Sequence, residues 1–532
     1  MTPTSPRTSL ALLAAALLLS AIILGYDGAR VLQVLVLALP AWMWLWWPGR
    51  SRAVRGLQAA TAGVLGLSFI LDGAVRGFML DAYEASPASA FVLTAVANTT
   101  AQESSEFVSM HWPSLLLWKL FLLASLAVLF AGLRAWWRQP PAPLKATGWR
   151  VVAAAVLVAL GLVALVSKPW RQHHPVVFWP GWVSEVAALR NQWANLGEQR
   201  ARLRARARAQ APVTTPDSPD TLVLVISESI NRNHLSLYGY ARDTTPRLRT
   251  RWQQEPSKLG VFRHAWSVDA STVPALRNFF YFGRTGADGQ HLIALAASAG
   301  YRTWWISNHD DLAIDQEHAL LADRVHMLNK TPGRSSPSLD HATLPVLQQA
   351  LQDPAPRKFV VVHLLGAHPH YGLRYPQAQG PFEDARDGVD RQMKAQGRSL
   401  RVRALRNEYD SALHYHDSVV AQSLDLTRQA SGHAVWMYFS DHGQEVGSQS
   451  DHTGHSAHHA DGYRVPLLLW GRRVEALPEP TFDRPVRTDW LGHSVMGLLG
   501  LRWPGQRPER DVLGERYQWT APPLPVGVDF GT

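Results

Sequence analysis

Hydrophobic and polar positions alternate on two different scales along this chain, and the change falls near residue 167. The first third is built of long apolar runs: Leu10–Gly25, Val31–Trp47, Leu57–Leu71, Leu115–Leu133 and Val151–Val166. Each is close to the length that crosses about 30 Å of hydrocarbon at about 1.5 Å per residue, the third being the shortest and richest in Ala and Gly. Five membrane spans are expected, with Lys119 snorkelling or facing another helix. From Thr221 onward the apolar runs shrink to strand length: "TLVLVIS", "RTWWIS", "KFVVVHLL", "AVWMYFS" and "VPLLLW". Amphipathic stretches such as His291–Gly300 and Leu344–Gln352 lie between several of them. That alternation predicts an α/β domain whose sheet is largely parallel and covered on both faces.

The predicted domains are therefore 1–167, a transmembrane bundle of five helices; 168–220, a connector; and 221–532, a catalytic domain. Within the connector, Trp182–Gln210 reads as one helix with Trp near its start and an Arg run near its end. It is either a solvated linker or an interfacial helix whose Arg side chains touch anionic headgroups. Ala211–Asp220 reads as a Pro-rich hinge.

Charge orients the spans. Pro48–Gly56 carries three Arg, and Arg134–Arg150 carries three Arg and one Lys. The loop between, 72–113, is poor in basic residues and holds Asp81, Glu84, Glu103 and Glu106. The positive-inside rule then places the N-terminus in the cytoplasm and everything after Val166 outside. A net charge of +10 suits nucleic acid, anionic lipid or acidic glycan. No nucleic-acid module is visible, so a membrane is the expected partner. The chain has 22 Trp, a residue that favours membrane boundaries, and no Cys. Disulfides and thiolate metal sites are excluded, and any metal must be held by His, Asp, Glu and hydroxyls.

In open α/β sheets, ligands bind beyond the carboxyl ends of the strands. Polar residues stand at several of those ends. Glu228 follows "TLVLVIS" and reads as a helix cap, a surface charge or a metal ligand. Asp441 and His442 follow "AVWMYFS"; His363 and His368 lie in and after "FVVVHLLGAH"; Asn308 and His309 follow "TWWIS". A cap explains any one of them, and their recurrence at equivalent tips points to chemistry. The "SDHG" pair offers oxygen and nitrogen ligands at a sharp turn, a mixture that suits zinc. The loop Asp451–Pro466 is His-rich, either a solvated loop or one that sends at least one His to the site. In "SVDASTVPALRNFF", Thr272 stands at or near a helix N-cap with Pro274 in the first turn. It is a plain cap or a nucleophile activated by a divalent metal, with phosphate oxygens held at the helix N-terminus. Ser271 and Asp269 compete for the role.

Taken together, the five spans, "SES…R…LSLYGYARDTTPRL", "STVPAL", "AGYRTWWISN", "HLLGAHPHYGLRYP", "NEYDSAL", "YFSDHGQEVG" and "RVPLLLW" resemble the bacterial phosphoethanolamine transferases of the alkaline phosphatase/sulfatase superfamily. The resemblance implies a donor, phosphatidylethanolamine, and an acceptor in lipopolysaccharide or a periplasmic glucan. It implies a bacterial inner-membrane, multi-pass protein with a periplasmic catalytic domain and one or two zinc ions. By matching motifs, Thr272 is the catalytic nucleophile, and Glu228, Asp441 and His442 bind the metal with the Thr272 oxygen. His368 and His455 match positions that hold the phosphate or a second metal. Thr99 and Glu103 lie in a stretch like the family's outer loop that meets the donor headgroup. The chain departs from many relatives in having no Cys, Gln444-Glu445 after "SDHG", and Ser227 where Gly is usual. A hydrolase of the same fold, a membrane-anchored phosphodiesterase or sulfatase, is the alternative. With no Cys and no Ser-x-Pro-x-Arg, the sulfatase route loses weight.

Overall fold

The computed structural model describes residues 6–26, 29–46, 51–83, 86–88, 90–99, 104, 108, 112–138, 148–194, 197–283, 285, 289–309, 312–329, 338–376 and 379–531. The chain forms two compact units. One comprises Met1–Ala97 with Phe107–Leu189, the other Asn98–Glu106 with Arg190–Thr532.

The first unit is helical. Helices cover Pro6–Gly25, Ala29–Trp46, Arg52–Tyr83, Ala90–Asn98, Trp112–Trp137 and Gly148–Val166. Among the described residues, Arg52–Asp81 and Leu115–Trp137 are long and apolar enough to cross a membrane, while Ala15–Gly25, Arg30–Ala41 and Val151–Val166 are shorter apolar stretches. The third helix extends a dozen residues past the apolar run, to Tyr83, and the extension begins with buried polar groups. Asp72 pairs with Arg76 at 2.7 Å and accepts from Tyr26 Oη and Trp179 Nε1. Arg76 also lies over the rings of Phe178 and Tyr26. A Cβ on Gly73 would fall 2.3 Å from the Ala21 carbonyl, so glycine lets the first and third helices touch backbone to backbone.

The second unit is the α/β domain. Its seven-stranded sheet consists of β1 (Thr221–Ser227), β2 (Leu259–Phe262), β3 (Arg302–Ser307), β4 (Arg324–Met327), β5 (Lys358–His363), β6 (Ala434–Ser440) and β7 (Leu467–Trp470). The order is β2-β7-β6-β1-β5-β3-β4, with β7 antiparallel to both its neighbours and every other pairing parallel. The central strands are buried along their whole length, and their side chains divide by period two. Leu222, Leu224, Ile226, Val435, Met437 and Phe439 join one core with the helices Thr272–Phe280, Leu292–Ser298 and Thr488–Leu498. Val223, Val225, Trp436 and Tyr438 join the other with helices Pro246–Gln254, Thr343–Leu351 and Leu400–Arg428.

The short strands β2 and β4 and the 29-residue helix Leu400–Arg428 are not evident from periodicity. That helix is capped by Ser399, which accepts from the Val402 amide, and it buries Arg403, Arg406, Asp410 and Asp417 among its core residues. Charged residues on a buried face defeat a simple apolar stripe. The expected helix Trp182–Gln210 is described as two, Pro175–Ala194 and Gly197–Ala209. In the second, Leu203 and Ala207 are buried in the main core and Arg204 Nη2 donates to the Leu320 carbonyl. The Pro-rich stretch after it is tied down rather than loose: Val213–Thr214 pairs antiparallel with Leu501–Arg502.

Candidate active site

Register brings the strand tips to one edge. Ser227 pairs with Ser440, Ile226 with His363, and His363 with Ser307. Glu228, Asp441 and Asn308 therefore leave the sheet side by side. The chain turns sharply after Glu228, where Ser229 adopts φ +64°, a left-handed conformation that costs a non-glycine residue about 1–3 kcal/mol. Tyr409 holds the turn: its hydroxyl donates to the Ser229 carbonyl at 2.8 Å and accepts from the Asn231 amide at 3.0 Å. Gly366 closes over the same point. It sits at φ +59°, and a Cβ there would fall 2.4 Å from the Glu228 carbonyl.

Asp441 and His442 are buried with their polar atoms aimed. Asp441 Oδ1 accepts from the amides of His442 (2.6 Å) and Ser229 (3.3 Å). Oδ2 is buried and has no hydrogen-bond partner, and it stands 3.6 Å from His442 Nε2. His442 Nδ1 lies 2.7 Å from the Gly443 carbonyl, which assigns the ring hydrogen to Nδ1 and leaves a lone pair on Nε2. Thr272 Oγ1 is 3.3 Å from that same nitrogen. A hydroxyl, a carboxylate oxygen and an imidazole lone pair thus converge, and a buried carboxylate oxygen without a partner is what a cation would satisfy.

Thr272 is the first residue of the helix Thr272–Phe280, with Ser271 at the N-cap and Pro274 in the first turn. The Ser271 side chain makes no capping bond. Asp269 accepts from the Asn278 side-chain amide, and burial pushes its carboxyl up to about 6.

A second group adjoins the first. One ligand atom each from Glu228, His368 and His455 lie within 4.8 Å of one another. His368 Nε2 is 3.3 Å from Glu228 Oε1, and the His455 ring is 4.8 Å from the His442 ring. The sequence-matched residues of the second unit thus form a continuous cluster from Thr272 through His442, His455 and His368 to Glu228. Thr99 lies in the same unit as this cluster, its carbonyl accepting from Arg190, and Glu103 lies outside the described residues.

Three residues that sequence reasoning gave no role stand directly behind Glu228. Asp340 fastens the tips: Oδ1 accepts from the Leu365 amide and Asn308 Nδ2, and Oδ2 from the Gly366 amide. Burial alone would raise its carboxyl, but the nearby His416 ring, 3.8 Å away, and the hydrogen bonds from the Leu365 amide and Asn308 bring it below the ordinary range. His416 Nε2 is 2.7 Å from Ser227 Oγ, so the residue just before Glu228 is bound from the long helix. His309 is the third, 3.3 Å from Glu228 Oε2. Asp340 starts a three-residue 3-10 turn, Asp340–Ala342, and His416 sits in a helix of mixed polarity, so neither carries a pattern; His309 was visible only as one more polar residue at a strand tip.

Comparison with known proteins gives concordant findings. The sulfatase family model matches residues 220–501. Phosphoethanolamine transferase EptC of Escherichia coli is 28% identical over 81% of this chain and 78% of its own length. Phosphoethanolamine transferase CptA of Salmonella typhimurium is 28% identical over 93% and 89%. The zinc complex of the periplasmic domain of E. coli EptC is 31% identical, with a TM-score of 0.54, covering 58% of this chain and 90% of that one. The integral membrane protein lipooligosaccharide phosphoethanolamine transferase A from Neisseria meningitidis shares the fold, with a TM-score of 0.61 at 18% identity over 94% and 98%.

Proposed function

The chain belongs to the sulfatase family and, within it, to the phosphoethanolamine transferases, and from that premise we propose that it moves phosphoethanolamine from phosphatidylethanolamine to a lipopolysaccharide or periplasmic glucan acceptor. The observation that carries the reading is the Thr272 hydroxyl, 3.3 Å from His442 Nε2 beside the orphaned Asp441 oxygen. Thr272 attacks phosphorus, a Thr272 Oγ–P bond forms, and the bond from phosphorus to the glycerol oxygen breaks. Diacylglycerol leaves with the proton that Thr272 gave up. An acceptor oxygen then forms the new O–P bond, the Thr272 Oγ–P bond breaks, and the acceptor's proton returns to Thr272.

The donor set fits zinc, held by Glu228, Asp441, His442 and Thr272, with His368 and His455 toward the phosphate or a second ion. Bound there, zinc would lower the pKa of the Thr272 hydroxyl and neutralise charge on the phosphoryl oxygens. The N–H groups of Thr272 and Val273, in the first turn of the Thr272–Phe280 helix, would hold those oxygens. Five spans, a cytoplasmic N-terminus and a periplasmic catalytic domain, with the domains divided at 167 and 220, complete the reading. It is supported by the basic loops and by the fold shared with an integral membrane protein. Thr99 and Glu103 are proposed to meet the donor headgroup.

The test is intact-protein mass spectrometry of the chain in phosphatidylethanolamine micelles. The wild type should gain one phosphoethanolamine and Thr272→Ala should not; an adduct that persists moves the nucleophile to Ser271 or elsewhere. Mass spectrometry of lipopolysaccharide and glucans from cells with and without the protein should show the added group on one acceptor. Free phosphoethanolamine with no modified acceptor would favour the hydrolase.

A further inference from the structure

The segment Leu524–Phe530 forms neither helix nor strand, yet its side chains alternate as a strand's do. Leu524, Val526, Val528 and Phe530 are half-buried, while Pro525, Gly527 and Asp529 are exposed. All four apolar residues pack on one small cluster of buried side chains, Trp266, Ala270 and Tyr463. Phe530 is attached twice. Its ring meets the Trp266 ring edge-on at 5.3 Å, and its carbonyl accepts from Trp266 Nε1 at 3.2 Å. Upstream, the Thr520 carbonyl accepts from Arg487 Nη1 at 2.9 Å, and Arg487 pairs in register with Trp266.

The cluster beneath this strap belongs to the two loops that carry the site. Trp266 and Ala270 lie in the segment that enters the Thr272–Phe280 helix, Ala270 two residues before Thr272. Tyr463 closes the turn Ala460–Gly462, in the loop that holds His455. The two loops are joined to each other and to the Asp441 tip. The Ser267 amide donates to the Tyr463 carbonyl at 2.7 Å, and Ser267 Oγ donates to the Asp441 carbonyl. Ala270 lies against Gly462, where a Cβ would fall 3.4 Å from its own. Removing the strap would open the apolar side of this cluster to water, and the loop into Thr272 would lose its cover.

We infer that the strap Leu524–Phe530 is a positioning element for the nucleophile loop: by packing on Trp266 and Ala270 it fixes where the Thr272 hydroxyl stands. The inference rests on the reading of Thr272 as the nucleophile. A displacement of about 1 Å in a reacting group can cost about 100-fold in rate, because attack needs the atoms close and in line.

The experiment follows the phosphoethanolamine adduct by intact-protein mass spectrometry in single turnovers, with the detergent-solubilised, zinc-loaded protein and phosphatidylethanolamine. The variants are a chain ending at Ala521, Phe530→Ala, Phe530→Tyr and Thr272→Ala, each also melted and mapped by hydrogen exchange. At saturating donor, adduct formation should slow about 10–100-fold in the shortened chain and by a smaller factor in Phe530→Ala, with the half-saturating donor concentration unchanged. Phe530→Tyr, which keeps the ring, should react at the wild-type rate. Exchange should quicken in Ser267–Val273 while β1 and β6 stay protected. A strap that merely adds stability would lower the melting temperature and quicken exchange throughout, leaving the adduct rate of the folded protein unchanged, and that result overturns the inference. Should the shortened chain fail to fold, Phe530→Ala against Phe530→Tyr decides alone. Wild-type adduct rates in Phe530→Ala and in the shortened chain overturn the inference, and they leave the Thr272 reading intact where Thr272→Ala forms no adduct. An adduct on Thr272→Ala overturns both.

Discussion

Asp410 and Asp441 are both buried carboxylates of the same α/β unit, yet their surroundings differ in kind. Asp410 sits in the long helix among permanent cations: Arg242 Nη1 is 2.6 Å from Oδ2, Arg406 Nε is 3.6 Å from Oδ1, and Tyr240 donates at 2.7 Å. Arg242 also grips Asp387 with two hydrogen bonds and reaches Asn407. Asp441 meets two backbone amides on one oxygen and an imidazole edge on the other. The first arrangement sets two permanent cations against the carboxylate, so that even Oδ1, which has no hydrogen bond, faces a guanidinium, and it fastens "YGYARD" to the helix. The second leaves an oxygen whose natural complement is an ion from outside. Burial alone does not mark a functional carboxylate; the nature of the opposing charge does.

Breaking the Asp410 cluster should have the largest effect on folding. Burial pushes the Asp410 carboxyl above its usual range even with both guanidiniums pulling it down. Arg242→Ala strands that charge and should cost about 3–5 kcal/mol, seen as a much lower melting temperature of the detergent-solubilised chain. Asp441→Asn should do the opposite: zinc affinity by chelator competition should collapse, while the zinc-free chain melts no lower than wild type. Stripping zinc should lower the wild-type melting temperature, by the equivalent of about 2.7 kcal/mol where free zinc stands at 100 times Kd, and leave Asp441→Asn where it was.

Asp417 sharpens the contrast as an intermediate case. It accepts from the Arg247 and Leu248 amides at the start of the helix Pro246–Gln254, and burial pushes its carboxyl up to about 7. The folded form therefore holds a proton that the unfolded chain, with a carboxyl near pKa 3.9, has released. Its contribution to stability is full below about pH 4 and is lost as pH rises through about 7. Asp417→Asn should flatten the fall in melting temperature between about pH 4 and about pH 7. The smallest effect belongs to the exposed pair Arg202–Glu198, at 2.6 Å. Arg202→Ala should change stability by less than about 0.5 kcal/mol, leaving the melting curve unmoved.

Much of this was legible along the chain. Strands β1 and β6 coincide with the runs Thr221–Ser227 and Ala434–Ser440, because strands buried on both faces must be apolar throughout. The two edge strands were hidden by their brevity, and the helix Leu400–Arg428 by the charges it buries. A charge on a buried face reads as a solvated one until its partner, 150 or more residues away as for Arg242 and Asp410, is in view.

The sequence by itself determined the division into a membrane-type first third and an α/β remainder, and it placed Glu228, Asp441 and His442 at strand tips, since local periodicity sets where each strand ends. Only the tertiary structure decided that Ser227 pairs with Ser440, that Thr272 faces His442, and that His309 leans on Glu228. Those are distances between segments far apart in the chain, fixed by register and packing, and no local pattern encodes them.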